Sequence, residues 1–72
     1  MSDFHFEITK ELGVLSSSAS GWSRELNLVS WNGAPAKYDL RDWAPTHDKM
    51  GKGISLTREE VLKLKELLAG VE

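Results

Sequence analysis

Apolar and polar residues alternate along the first part of the chain. One side of an extended segment over residues 4–15 carries Phe4, Phe6, Ile8, Leu12 and Val14, with Lys10 as its exception. The residues between them are polar. Because successive side chains of a strand point to opposite faces, this alternation predicts a strand with one buried face. The serine-rich run at 16–21 then predicts a short connection.

A second alternating stretch extends from Trp22 to Trp31. Leu26 and Leu28 share the side that the pattern assigns to the core, and the other side carries Asn27, Val29 and Trp31. The Asn-Gly pair that follows predicts a hairpin turn, because both residue types tolerate positive φ.

The third predicted strand extends from Ala36 to Trp43. Tyr38 and Leu40 point inward in this prediction, and the outward positions are Lys37, Asp39, Arg41 and Trp43. Two neighbouring strands are therefore expected to place two tryptophans and two cations on one solvent-facing surface.

Residues 44–53 contain proline and glycine breakers together with Lys49 and Lys52. They predict a mobile, basic loop, which is followed by a short fourth strand over 54–56. Thr57-Arg58-Glu59-Glu60 then has the pattern of a helix capping box. The helix is expected to continue to about Ala69 and to end at Gly70.

The apolar residues of this helix form a stripe roughly 120° wide, enough to cover one face of a sheet. Its members are Val61, Leu64, Leu67, Leu68 and Val71. Leu62 lies off the stripe and hints at a second helix as a partner. The order of elements predicts an α+β fold, ββββα, with a curved four-stranded antiparallel sheet, a C-terminal helix across one face and the other face open.

A chain of 72 residues supports a single domain, here 1–72, since two cores would each be too small. Without cysteine there is no disulfide, so oligomerisation is the common remaining source of added burial. The N-terminus lacks the pattern of a secretion signal, and we expect a soluble cytoplasmic protein, with association with the nucleoid left open. His5 and His47 are far apart in sequence and predict neither a metal site nor a cofactor site.

The formal net charge of −2 argues weakly against a nucleic-acid partner, but residues 22–58 carry six Lys and Arg against four Asp and Glu. Flat rings beside flexible cations are typical of surfaces that hold unpaired nucleic acid. No nucleophile, acidic cluster or phosphate-binding loop with recognisable spacing is present, so no enzyme and no small-molecule substrate are expected.

Two segments, YDLRDW at 38–43 and MGKGISLT at 50–57, resemble a known family. They are similar to the corresponding segments of the transcriptional coactivator family called positive cofactor four, and most similar to its small prokaryotic members. The resemblance implies a homodimer with packed helices that binds single-stranded DNA with little sequence preference, and also melted duplex.

Carried over by position, the resemblance implies stacking aromatics at Trp31 and Trp43 and basic contacts at four positions, Lys37, Arg41, Lys49 and Lys52. Asn32 stands where a lysine is common in the family. Asn27 and Trp22 are additional candidate contacts, and the dimer interface is expected at Leu62, Leu64 and Leu68.

Alternatives stay open at this point. The tryptophans could belong to the core or to a dimer interface, and Trp22 could be either a lid over the core edge or a third platform. A dimeric adaptor could use the same aromatic face to bind a polypeptide. RNA is a further alternative, because stacking scarcely distinguishes the two sugars.

Overall fold

The computed structural model describes residues 4–71, which form one open sheet followed by a helix. The four strands are β1 (Phe6–Ser17), β2 (Ser23–Trp31), β3 (Lys37–Trp43) and β4 (Met50–Leu56), and the helix is α1 (Arg58–Ala69). The strands lie in the order β1-β2-β3-β4, and each neighbouring pair is antiparallel. The predicted ββββα order is therefore confirmed. No helix within the described residues has the length and apolarity needed to cross a membrane.

The fourth strand is longer than its sequence pattern predicts. It begins at Met50, so the predicted basic loop shrinks to residues 44–49 and Lys52 lies in a strand. Gly53 pairs with Arg41, and a Cβ atom at Gly53 would lie only 2.1 Å from the Arg41 Cβ. The glycine thus permits a close approach of two strands. In the sequence, a glycine with this role in a strand has the same appearance as a glycine in a loop.

The buried face of the sheet is the one that the sequence pattern places in solvent. Trp43, Val29 and Asp39 are 0% exposed and Asn27 is 1% exposed, and we name the surface that carries these four residues the inner face. The opposite, outer face carries side chains that are only half-buried, Leu26, Leu28, Tyr38 and Leu40. The predicted assignment of the two faces is wrong for a single chain.

Irregularities in β1 help to explain this reversal. The register of β1 against β2 shifts at three places along the strand. Such bulges bend a strand and increase its twist. Phe6, at the start of β1, lies with its ring centroid 5.2 Å from that of Trp43, and Ala44 after β3 is also buried. The inner face is therefore closed by the chain's own ends and loops.

The helix has the predicted caps but does not cover the sheet. The Thr57 hydroxyl accepts from the Glu60 amide at 3.1 Å, and the Glu60 carboxylate accepts from the Thr57 amide at 2.9 Å. No residue of α1 is buried, and among the described elements it contacts only β3 and β4. The expectation that its apolar stripe covers one sheet face is wrong within one chain. Its leucines remain exposed and the outer face remains half-buried.

Candidate nucleic-acid interface

Five aromatic side chains follow one another along the inner face and its edge. Ring-centroid distances are 5.9 Å for Phe4 and Trp31, 5.7 Å for Trp31 and Phe6, 5.2 Å for Phe6 and Trp43, and 5.5 Å for Trp43 and His47. We name this series the aromatic row. It combines the N-terminal segment, the ends of β2 and β3, and the loop before β4, so its order in space differs from its order in sequence.

Trp31 is the accessible tryptophan of the row. Its side chain is half-buried, and the Arg41 guanidinium carbon lies 4.8 Å from its ring centroid. A guanidinium over an indole face is attracted by the ring quadrupole and limits the ring's motion. The buried indole Nε1 has no hydrogen-bond partner within residues 4–71. The ring is thus held in place while retaining exposed surface for a ligand.

Arg41 is less available than the sequence suggests. Its Nε and Nη2 donate to the two carboxylate oxygens of Asp39 at 2.7 and 2.9 Å, and its side chain is only 15% exposed. Ser55 donates to the same carboxylate at 3.1 Å. The remaining nitrogen, Nη1, makes long contacts of 3.4 Å to the Gly51 carbonyl and 3.6 Å to the Met50 sulfur. Two of the three guanidinium nitrogens are therefore committed, and only Nη1 has weak partners.

Trp43 does not face solvent. Its side chain is 0% exposed, and its ring contacts the rings of Phe6 and His47. The expected outward orientation is wrong, because β1 and the loop at 44–49 close over this end of the inner face. In this arrangement Trp43 supports the rings beside it. A direct contact between Trp43 and nucleic acid stays a prediction and would require this cover to move.

A buried polar cluster centred on Glu25 lies beside Trp43. His47 Nε2 is 2.9 and 3.0 Å from the two Glu25 carboxylate oxygens, Asn27 Nδ2 donates to one of them at 3.2 Å, and the Ser23 hydroxyl donates to the other. Burial by itself raises the pKa of the Glu25 carboxyl. The hydrogen bonds that the carboxylate accepts outweigh burial, so its pKa lies below the ordinary value.

The cluster changes the interpretation of two residues. Asn27, predicted as a nucleic-acid contact, is 1% exposed and is engaged with Glu25. His47, to which the sequence pattern assigns no role, has a positive φ of 59°, and its ring lies between Glu25 and Trp43. Sequence reasoning missed this cluster because Glu25 and His47 are 22 residues apart, and no local pattern links them.

Three predicted cations remain exposed. Lys37, Lys49 and Lys52 have exposed side chains and form no ion pair within the described residues. Lys37 begins β3, whereas Lys49 precedes Met50, which pairs with Trp43 at the other end. At roughly 3.3 Å per residue, about 20 Å of strand separates these two ends. The cations flank the sheet rather than forming one cluster.

Trp22 lies apart from the aromatic row. It is half-buried, and it makes no ring contact with the row within residues 4–71. Trp22 lines an open groove of about 190 Å³, which is also lined by the exposed ion pair of Arg24 and Asp42, with Nε and Oδ1 2.9 Å apart. The structure therefore does not bring Trp22 together with the other predicted stacking residues.

A larger groove borders the row at the His47 end. Its volume is about 400 Å³, its walls include Leu12 and Val14, and the Glu25 cluster forms part of its lining. Among the described residues, no group of three or more His, Asp or Glu side chains is arranged to hold a metal ion. The groove is open and combines apolar walls with the hydrogen-bonded side chains of the Glu25 cluster.

Comparisons with known proteins identify the family. Residues 18–67 match the family described as Transcriptional Coactivator p15 (PC4), a stretch that includes β2, β3, β4 and most of α1. The chain is also 56% identical over 66 residues to a protein of Treponema pallidum (strain Nichols) described as an uncharacterized protein, a match that covers 92% of this chain and 78% of that relative. The chain therefore belongs to the Transcriptional Coactivator p15 (PC4) family, whose members are non-catalytic nucleic-acid-binding proteins.

Proposed function

We propose that this protein is a homodimeric, non-catalytic single-stranded-DNA-binding protein with little sequence preference, serving transcription regulation or DNA replication and repair. The observation that carries the proposal is the aromatic row, with the accessible Trp31 fixed beside Arg41. Melted duplex would bind through the same unpaired bases. A cytoplasmic location, with or without association with the nucleoid, is part of the proposal.

Stacking is the proposed source of affinity that tolerates any base. Every base has a flat π face, and removing one base–aromatic stack costs about 1–3 kcal/mol. Trp31 offers a ring whose orientation is set before binding by Arg41 and by its aromatic neighbours. Trp43 acts in this proposal by supporting the row, and Asn27 acts through Glu25. Trp22, which precedes β2, would be a separate platform at the end of that strand opposite Trp31.

Phosphates would be bound by the exposed cations on both sides of the row. Lys37, Lys49 and Lys52 have no competing ion pair among residues 4–71, so a phosphate need not displace a carboxylate from them. Arg41 would contribute through Nη1, whose present contacts are long. Release of counterions from several phosphates makes such binding fall steeply with salt.

The homodimer is proposed from the apolar surface that one chain leaves uncovered. Leu62, Leu64 and Leu68 are 51%, 42% and 58% exposed, and the outer face of the sheet is only half-buried. Burial of apolar surface contributes about 25 cal/mol per Å². A second copy that covers the outer face and α1 would supply the core that a short, cysteine-free chain lacks. It would leave the exposed part of each aromatic row, at Phe4 and Trp31, accessible to DNA.

The test is a titration with oligo-dT followed by intrinsic tryptophan fluorescence, at low and at moderate salt, with duplex DNA and oligo-U as competitors. We expect quenching that weakens with salt and poor competition by duplex. Trp31→Ala should weaken binding about 5- to 100-fold while the protein remains folded. Lys52→Ala should mainly flatten the salt dependence, and Lys65→Ala on the exposed surface of α1 is its matched control.

The outcomes separate the classes of partner. No binding to oligo-dT at low salt would overturn the proposal and turn attention to a polypeptide partner, whose aromatic contacts respond weakly to salt. Equal competition by oligo-U would extend the function to RNA. Unchanged affinity in both Trp31→Ala and Lys52→Ala would refute the site while leaving binding intact.

A further inference from the structure

We propose that Phe4 is a further base-stacking residue of the interface and that Asn32 is the residue that positions it. This inference rests on the proposed function and extends its site. Phe4 and β1 precede residues 18–67, the part of the chain that matches the family. The added ring therefore belongs to a segment that the family match does not cover.

The geometry of Phe4 suits a stacking role. Its ring centroid is 5.9 Å from that of Trp31 and the two planes differ by 28°, whereas its plane differs by 42° from that of Phe6. Phe4 is also 55% exposed. A single exposed phenylalanine is ordinary. This one continues the aromatic row beyond Trp31 in a nearly parallel orientation, which is the arrangement that bases stacked on successive rings require.

Two reciprocal hydrogen bonds hold the segment that carries this ring. The His5 amide donates to the Asn32 side-chain oxygen at 2.8 Å, and the Asn32 amide donates to the His5 carbonyl at 2.8 Å. His5 follows Phe4 and Asn32 follows Trp31, so the clasp fixes the backbone beside one ring relative to the backbone beside the other. Asn32 has φ of 50°, a conformation that asparagine adopts more readily than most residues.

The clasp favours a platform over a displaceable cover. If Phe4 merely occupied the place of a base on Trp31, binding would have to turn the Phe4 side chain away from Trp31, or else break the two hydrogen bonds between His5 and Asn32 to move the segment. A platform keeps them, because the DNA strand then passes over Phe4 as well as Trp31. The site is thereby lengthened by one nucleotide at the Trp31 end. The ligand chemistry is an unpaired base of any identity, since only its flat face is used.

The test compares Phe4→Leu, which removes the ring but keeps apolar volume, with Phe4→Tyr, which keeps the ring. Leu15→Ala is the matched control, since Leu15 is 58% exposed and lies at the other end of β1. Affinity for a labelled oligo-dT should fall about five- to tenfold in Phe4→Leu. It should change less than about twofold in the other two variants. The salt dependence should be the same in all of them, because no phosphate contact is lost.

Asn32 is tested by Asn32→Gly, because glycine accepts the positive φ and removes only the side-chain oxygen of the clasp. We expect a loss similar to that of Phe4→Leu, and no further loss when the two substitutions are combined. A merely structural role for Asn32 would instead make the two losses add. A measurement on the unaltered protein gives the same answer without substitution: making the nucleotide at the Phe4 end abasic should cost as much as Phe4→Leu.

Each outcome bears on one proposal. If the wild-type protein fails to bind oligo-dT, the proposed function fails, and this inference with it. If Trp31→Ala weakens binding but Phe4→Leu and the abasic oligonucleotide do not, only the role of Phe4 is overturned. Tighter binding by Phe4→Leu would show that the ring competes with a base for Trp31, which also overturns it.

Discussion

Asp39→Asn is the substitution whose effect follows most directly from the structure. Asp39 is 0% exposed and accepts two hydrogen bonds from Arg41, at 2.7 and 2.9 Å, and one from Ser55 at 3.1 Å. Asparagine has the same shape but turns an N–H₂ group toward one of these donors. The substitution therefore leaves the Arg41 charge, 15% exposed, without its counter-charge and with one hydrogen bond fewer.

The expected cost follows from these contacts. A hydrogen bond to a charged group contributes about 1.5–3 kcal/mol, and breaking a buried ion pair by removing one partner costs about 3–5 kcal/mol. Because asparagine retains one acceptor, we expect the free energy of unfolding to fall by about 3 kcal/mol. For a domain of this size that corresponds to a decrease in Tm of about 12 to 24 °C.

The assay is thermal unfolding followed by circular dichroism at one fixed protein concentration, since association changes the apparent Tm. Asp42→Asn is the matched control on the same strand, because its ion pair with Arg24 is exposed and screened by salt. We expect a much smaller effect there, and one that salt diminishes. A Tm for Asp39→Asn within 2 °C or so of wild type, or equal decreases in both variants, would refute the reasoning.

Three further predictions concern the rest of the fold. The pKa of Glu25 is lowered in the folded protein, so its carboxylate contributes stability that is present above the ordinary glutamate pKa and is lost as pH falls through the native pKa. Glu25→Gln should therefore reduce the loss of the free energy of unfolding at acid pH. An unchanged dependence of that free energy on pH would contradict this. Gly53→Ala places a Cβ 2.1 Å from the Arg41 Cβ and should lower stability by at least the 1–3 kcal/mol or so of an overpacked site, measured by urea unfolding. Leu68→Asp puts a charge on the exposed stripe of α1 and should convert a dimer to monomers in sedimentation, whereas Leu15→Ala should not; a dimer that persists would move the interface elsewhere.

The helix shows what local signals determine. The start of the helix depends on hydrogen bonds between residues three apart, Thr57 and Glu60. Because these residues are close in sequence, the sequence pattern alone predicts the cap. The four strands follow from period-two alternation in the same way, although the bulges of β1 and the long β4 escape that rule. These irregularities depend on how closely one strand packs against its neighbour. Gly53 opposite Arg41 is an example.

The positions of the candidate residues were predicted in part, and their contacts with nucleic acid stay predictions. Trp31 ends β2 and Lys37 begins β3, as the alternation predicts, whereas Lys52 lies in β4 and not in the predicted loop. Trp43 and Asn27 are buried, and Arg41 is engaged with Asp39. The contributions of Phe4 and His47 depend on contacts across the sheet, which a single sequence does not report.

By itself, the sequence determined the order of the elements, the caps of the helix and the positions of Trp31, Lys37 and Trp43 along their strands. Only the tertiary structure decided which face of the sheet is buried, because β2 carries apolar residues on both sides, Leu26 and Leu28 on one and Val29 and Trp31 on the other. The alternating pattern indicates that the two faces of the sheet differ in composition. Which of them is covered depends on where β1 and the loop at 44–49 fold back, and here they close over Trp43.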